Sequence, residues 1–254
     1  MNRTSQISTP SAPEWLRIPI LQVAKLPFLS VLGKSDDSVL CDELNKFVRY
    51  RHYKSGDVIQ RSGDQQQTVG FILNGYAKVS VSSADGRHQI LNILASEDFI
   101  GRLGNKYAGY DVCALGNIKC CTFERKIFER LVEKHPSLTR HMMRYAMDEL
   151  EEMRRWAFLL GRKTALERVA TFVFQMHQKA GCNEMIEFEL SLSRFEIADL
   201  LGLTCETVSR QMTKLRKDGV IDTNGIKHIT VLNEAILKKL SGSDETEWGL
   251  NYAN

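Results

Sequence analysis

The stretch RFEIADLLGLTCETVSRQMTKLRK, residues 194–217, constrains this chain more than any other. Its apolar residues fall into two helical sets on either side of one glycine. Ile197, Leu200 and Leu201 make the buried face of a first helix, on which Ala198 is small enough for a second helix to approach closely. Gly202 makes the turn, and Thr204 is placed to cap the next helix with its hydroxyl. Val208, Met212 and Leu215 stand at i, i+4 and i+7 and form the buried face of that second helix. Cys205, Glu206, Ser209, Arg210 and Thr213 are left outward, with Lys214, Arg216 and Lys217 near its end. GVIDTNGIKHITVL follows, two apolar strands turned at Asn224-Gly225, a strong hairpin signal. An Ala-x-x-x-Gly helix pair alone occurs in many helical proteins. Joined to a buried face, a polar outer face and a β-wing, it predicts a winged helix-turn-helix that reads DNA.

The rest of the chain changes texture twice. Residues 1–25 are polar, with Ser and Pro, and are expected to form a flexible N-terminus. From about residue 47 to 125 the runs FVRYRHY, DVIQRSG, VGFILNG, YAKVSVSS, HQILNIL and IKCCTFE read as short strands between glycine turns, a β-sandwich or roll. RKIFERLVEKHP then reads as a short helix ending before Pro136, and SLTRHMMRYAMDELEEMRRWAFLLGRK has no Gly or Pro until Gly161. One helix of about seven turns fits it. Met143, Ala146, Leu150, Met153, Ala157 and Leu160 recur at alternating spacings of three and four, a heptad seam flanked by charges. Such a helix can pack on its own β-domain or pair with a second copy, and the narrow seam favours the dimer. The predicted fold class is α+β. Its parts are a β-roll over 26–135, a dimerisation helix over 136–161, the winged helix-turn-helix over 162–240 and an acidic tail over 241–254.

Composition serves mainly to exclude. A net charge of +3 means that any polyanionic partner is met by a local surface, not by bulk charge. No apolar run approaches the ~20 residues that cross a bilayer, and the N-terminus has no apolar signal core, so no membrane partner and a cytoplasmic location are expected. No Gly-rich phosphate loop, carboxylate pair or Ser/His/Asp spacing presents itself, and no enzyme activity is expected. The six cysteines show no zinc spacing with the six histidines and read as free thiols.

Over roughly residues 45–240 the chain resembles CRP/FNR-family transcription regulators. The resemblance rests on LLGRKTALERVATFVFQM, FEIADLLGLTCETVSR, VGFILNGYAKV and SEDFIG, and LLGRKTALERVA and ETVSR look most like the FixK branch. It implies a cyclic-nucleotide-binding-type β-roll, a homodimer held by the long helix, double-stranded DNA and RNA polymerase as partners, and control of low-oxygen or related metabolism. In FNR-like regulators Glu-x-x-Ser-Arg reads half-sites of the form TTGAT, here Glu206, Ser209 and Arg210. Thr204, Cys205, Thr213, Lys214 and Ser193 complete the expected DNA-binding set. Gln211 departs from the apolar residue usual in the family.

The same resemblance sets out which inputs to look for. In EDFIGRLGNKYAGYDVCAL, Arg102 stands where the nucleotide cassette has Glu, and Tyr110-Asp111 stands where Arg-Ser is expected, so a phosphate would meet a carboxylate. An FNR-type iron–sulfur cluster needs four thiolates, three of them before the roll, and residues 1–40 contain no cysteine. Cys121, or Cys120, matches the isolated ligand, and because neighbours on a strand point to opposite faces one of the two is expected to be core. His52, His88, His135, His141 and His177 have no spacing that marks a haem ligand. No cofactor is therefore expected. Cys205, in the first turn of the reading helix, has a redox reading, because helix N-termini and nearby cations favour the thiolate and an oxidised sulfur would bring negative charge against DNA. The plainer reading is a small semi-apolar contact, for example to a thymine methyl. The alternative to a FixK-like regulator is a relative gated by haem, nitric oxide or a small metabolite in the roll; a nucleotide-regulated enzyme subunit is the weakest reading.

Overall fold

Alternating apolar runs with turn residues between them form sheets because each strand then buries one face. The computed structural model describes residues 38–179, 187–189, 192–224 and 228–242. The expected flexible N-terminus, all but the first two residues of the acidic tail, Gly225 of the wing turn and Cys182 lie outside the described residues. Helix α1 (Ser38–Phe47) leads into β1 (Arg49–Tyr53), β2 (Val58–Gln60), β3 (Thr68–Asn74), β4 (Ala77–Ser82), β5 (His88–Leu94), β6 (Phe99–Ile100), β7 (Asp111–Ala114) and β8 (Ile118–Glu124). They form two antiparallel sheets, ordered β1-β8-β3-β6 and β2-β7-β4-β5. The short strands β6 and β7, of two and four residues, escape the sequence reading because they are too short to show a period.

Strand β8 lies between β1 and β3, and both of its faces are covered. Cys120 packs with Ile72, Val112 and Ile118 between the sheets, and Cys121 packs with Phe71, Phe123 and Phe128 under the helices. Both side chains are 0% exposed, so the expectation that one of the pair is core is corrected: both are. Burial pushes the Cys120 thiol up to about 12 and the Cys121 thiol up to about 11. Gly70 permits the tight pairing of β3 on β8, since a Cβ there would sit 2.2 Å from the Cys121 carbonyl oxygen.

Helix α2 (Arg125–Lys134) ends at His135, and Pro136 occupies the first turn of α3 (Pro136–Arg162), where a missing N–H costs nothing. At 27 residues α3 is about 40 Å long, and it runs on through Gly161. Its first half packs on the roll through Leu138, Met142 and Tyr145, and the Tyr145 hydroxyl accepts a hydrogen bond from the Phe99 N–H at 3.1 Å. Its second half buries Trp156 and Leu159 with the C-terminal helices. Those are α4 (Ala165–Lys179), α5 (Arg194–Leu201), α6 (Cys205–Lys217) and α7 (Glu234–Leu240), with β9 (Glu187–Glu189), β10 (Ile221–Asn224) and β11 (His228–Val231) in a sheet ordered β10-β11-β9. Ile90, Ile93 and Leu115 of the roll join the same buried cluster, so the C-terminal core extends onto β5. One helix thereby spans two cores.

Candidate nucleic-acid interface

The reading helix is placed by its neighbours. Helix α5 opens with a capping box: Ser193 Oγ accepts from the Glu196 N–H at 3.2 Å, and Glu196 Oε2 accepts from the Ser193 N–H at 2.9 Å. It closes on Gly202, whose φ of 60° and ψ of 42° give the left-handed stop that a side chain would resist. Thr204 then caps α6, its Oγ1 accepting from the Thr207 N–H at 3.2 Å. Val208, Met212 and Leu215 of α6 are buried, as their spacing requires. Shortening Leu215 to alanine would cost about 2–5 kcal/mol through the cavity left behind.

What faces outward is polar and unengaged. Glu206, Ser209, Arg210, Lys214, Arg216 and Lys217 are exposed, and among the described residues none of these side chains makes a hydrogen bond or ion pair. An i, i+4 pair between Glu206 and Arg210 would be the ordinary fate of a solvated face. It is not formed. Spacings of three and four set Glu206, Ser209, Arg210 and Thr213 on one stripe opposite the buried one. Thr213 is partly engaged, its hydroxyl donating to the Ser209 carbonyl at 2.8 Å. Ser193 is exposed but its hydroxyl also donates to Glu196 Oε2 at 3.0 Å, so the capping box already uses it. Cys205 is half-buried beside Arg194, whose guanidinium burial holds below its ordinary range, with Cys205 acting in the opposite direction. Gln211 is half-buried at the margin of the core.

Helix α3 presents a different surface. Met143, Ala146, Leu150, Met153, Ala157 and Leu160 are all exposed, Met143 by 67% and Leu150 by 42%. Met147, 56% exposed, extends the row and was not in the expected seam, although its place four residues after Met143 is the signal that shows it.

Among the described residues, the three positions that the sequence sets against a nucleotide phosphate, Arg102, Tyr110 and Asp111, are engaged otherwise or face solvent. Asp111 accepts the Ser62 N–H at 2.8 Å through Oδ1, Tyr110 is turned inward with its hydroxyl donating to the Gly101 carbonyl at 3.3 Å, and Arg102 is exposed. At the position that the resemblance assigns to the phosphate, Asp111 would set a carboxylate against it, so these three residues do not fit a cyclic nucleotide. Cys120 and Cys121 lie on opposite faces, and no three His, Cys, Asp or Glu side chains among the described residues are grouped to hold a metal; they do not fit an iron–sulfur cluster.

Sequence reading missed the groups that hold α5 from outside its own motif. Arg168 and Lys78 reach partners 33 and 118 residues away, and no local pattern marks such a contact.

Comparison with known proteins agrees with this geometry. Residues 50–135 match the family model of the cyclic nucleotide-binding domain, and residues 167–240 match that of the Crp-like helix-turn-helix domain. The chain is 37% identical over 227 residues to the transcriptional activator protein FnrL of Cereibacter sphaeroides, covering 87% of this chain and 91% of that one. It is 32% identical to the nitrogen fixation regulation protein FixK of Bradyrhizobium diazoefficiens, covering 76% and 82%. The solved structure of FixK2 from Bradyrhizobium japonicum superposes with a TM-score of 0.71 at 27% identity, over 76% of this chain and 96% of that one. With a roll, a linking helix and a winged helix-turn-helix in this order, and relatives matched along most of its length, the chain belongs to the CRP/FNR family of transcription regulators, is FixK-like among them, and is a DNA-binding protein and not an enzyme.

Proposed function

We propose that this protein is a cytoplasmic homodimeric transcription activator that reads palindromes of the form TTGAT-N4-ATCAA and works with RNA polymerase in the control of low-oxygen or related metabolism. The observation that carries this reading is the outward stripe of α6, where Glu206, Ser209 and Arg210 are exposed together and their side chains have no partner among the described residues. Arg210 donates two bonds to guanine O6 and N7, Glu206 accepts from cytosine N4, and Ser209 adjusts to either base edge. Thr204, Ser193, Thr213 and Lys214 lie around them for flanking contacts to bases and phosphate. The exposed seam Met143, Ala146, Leu150, Met153, Ala157 and Leu160 supports pairing with a second copy, and a two-fold dimer calls for a two-fold site with half-sites about 34 Å apart. Oxidation of Cys205, at the first turn of the reading helix, would add charge or bulk against the groove and release the DNA.

DNase I footprinting with effector-free protein tests the proposal. Protection centred on the palindrome is expected, and the same protein leaving the site open to cleavage would contradict it.

A second reading, a regulator gated by a small molecule in the roll, is favoured by one observation. A cavity of about 370 Å³ opens beside β2 and the start of β3, lined by Gln60, Arg61, Asp64, Gln65, Gln66 and Thr122 among others. Gln66 is 6% exposed, and its side-chain oxygen is buried without a hydrogen bond. That reading predicts no footprint until a ligand that donates a hydrogen bond is supplied.

A further inference from the structure

Helix α5 carries α6, and it is gripped at both ends by groups from outside the helix-turn-helix. At its N-terminal end Glu196 does two things at once. Its Oε2 closes the capping box on Ser193, while its Oε1 accepts from Nζ of Lys78, on β4 of the roll, at 2.6 Å. The two side chains of this ion pair are only 21% and 24% exposed. Burial raises the Glu196 carboxyl, but the bonds from Lys78 and Ser193 outweigh it and leave the group below the ordinary glutamate range, so the carboxylate is ionised at neutral pH. One turn on, Asp199 Oδ2 faces His88 Nδ1 of β5 at 3.2 Å, and the Asp199 carbonyl accepts from the side-chain amide of Gln89.

The C-terminal end is held by a single guanidinium. Arg168 of α4 donates from Nη1 to the Leu201 carbonyl at 3.0 Å, from Nη2 to the Leu160 carbonyl at 2.8 Å and from Nε to the Lys163 carbonyl at 2.9 Å. These three acceptors are the last residue of α5, the last turn of α3 and the link between α3 and α4. Nη1 would also lie 3.6 Å from a Cβ at Gly202, so the guanidinium sits against the turn between the two helices. The roll, the long helix and the reading unit are thus joined by directional, charge-assisted bonds in addition to the apolar contact of Ile90 and Ile93.

Direction matters here more than strength. Apolar packing alone fixes which surfaces meet, but it has no fixed donor–acceptor axes. A dimer that reads two half-sites must present its two α6 helices at one spacing and one tilt. Hydrogen bonds to base edges weaken steeply once donor and acceptor separate beyond about 3.5 Å, so small rotations of α5 on the dimer helix lose base contacts in the second half-site.

We propose that Arg168 and the Lys78–Glu196 pair are positioning residues that fix the angle of α6 relative to α3 and so select the spacing between half-sites that the dimer accepts. This rests on the dimeric reading proposed above. Each bond lies within one chain. None of the three side chains lies on α6, so their removal should change the geometry between half-sites and leave the reading of a single half-site alone.

The test measures binding of the full-length protein to labelled duplexes of three kinds: the N4 palindrome, palindromes with a spacer one base pair shorter or longer, and a duplex with one half-site scrambled. The unmodified protein should prefer the N4 palindrome by at least about tenfold over the other spacers, as expected when a second half-site loses its base contacts. In Arg168→Met and in Lys78→Met that preference should fall below about threefold, while affinity for the single half-site stays within about twofold of the unmodified protein, because the lost bonds lie away from the DNA. Glu196→Gln should behave as Lys78→Met does, since glutamine at that position still serves the capping box. Spacer preference retained in Lys78→Met overturns the proposal, and so does a loss that runs in step with the single half-site, which would mean a damaged reading helix. Lys78 lies on a strand outside the helix-turn-helix, so it carries the test if Arg168→Met fails to fold. Failure of the unmodified protein to prefer TTGAT on any duplex would instead overturn the dimeric reading on which this inference stands.

Discussion

Helices α3 and α6 both expose one face along most of their length, and the two faces differ in kind. On α3 the exposed row is apolar: Met143, Met147, Leu150, Met153 and Leu160 with two alanines. On α6 it is polar, with the side chains of Glu206, Ser209, Arg210, Lys214 and Lys217 unpaired among the described residues. Water tolerates the second face at little cost, because charged groups are well hydrated. It disfavours the first by about 25 cal/mol for each Å² of apolar area. The α3 row therefore has a driving force to be covered, and in the proposed dimer a second copy would bring an identical row to a two-fold interface. The α6 row has no such drive and gains only from a partner that supplies opposite charge and matching donors and acceptors. One face favours assembly; the other favours recognition.

Breaking the first face should have the largest effect. Leu150→Glu places a charge in the middle of the α3 row, and sedimentation should show a monomer. With the second reading helix lost, affinity for the palindrome should fall by at least about a hundredfold. A dimer of unchanged affinity would refute the assignment of that face. Arg210→Ala tests the second face and leaves the first alone: the dimer persists, and affinity for TTGAT palindromes falls by about ten- to a hundredfold, with selectivity at the guanine position relaxed. A uniform loss on all sequences would mean that Arg210 meets phosphate instead.

Cysteines sharpen the comparison between surface and core. Cys205 stands half-buried at the start of α6, whereas Cys120 and Cys121 are fully buried in β8. Peroxide should lower DNA affinity of the unmodified protein by about tenfold and spare Cys205→Ala, since each added charge on the reading face opposes phosphate. Equal loss in both would remove Cys205 from control. In the native protein, alkylation near neutral pH read by mass spectrometry should leave Cys120 and Cys121 unmodified, because burial holds their thiols at about 12 and about 11.

The smallest effect concerns the roll's hold on α5. Glu196 is below its ordinary range in the folded chain, so its contribution to stability is present above the ordinary glutamate value and is lost as pH falls through the folded value. Lys78 on β4 and the His88–Asp199 contact one turn away supply the neighbouring ionisable groups. Glu196→Gln should therefore melt below the unmodified protein at neutral pH, and the gap should narrow on acidification. A gap independent of pH would assign it to packing and not to charge.

Much of this was legible in sequence because it is local. The buried set Val208, Met212 and Leu215, the stop at Gly202 and the cap at Thr204 each depend on neighbours within one or two helical turns, and the helix-turn-helix could be read from them. The α3 seam was legible for the same reason. Strands β6 and β7 were not, because a strand of two to four residues has no period. Whether Cys120 or Cys121 faces solvent depends on what covers each face of β8, a tertiary fact. The reach of Lys78 to Glu196 and of Arg168 to Leu201 depends on how the roll, α3 and α5 come together, which the helical and strand periods do not encode.

The central claim is that the free polar face of α6 reads sequence in a dimer that needs no effector. The most direct test is fluorescence anisotropy of effector-free protein on a labelled TTGAT-N4-ATCAA duplex and on one in which the G·C pair of each half-site is replaced by A·T, at matched salt. The account predicts at least about a hundredfold tighter binding to the first duplex. Equal affinity for the two would contradict it.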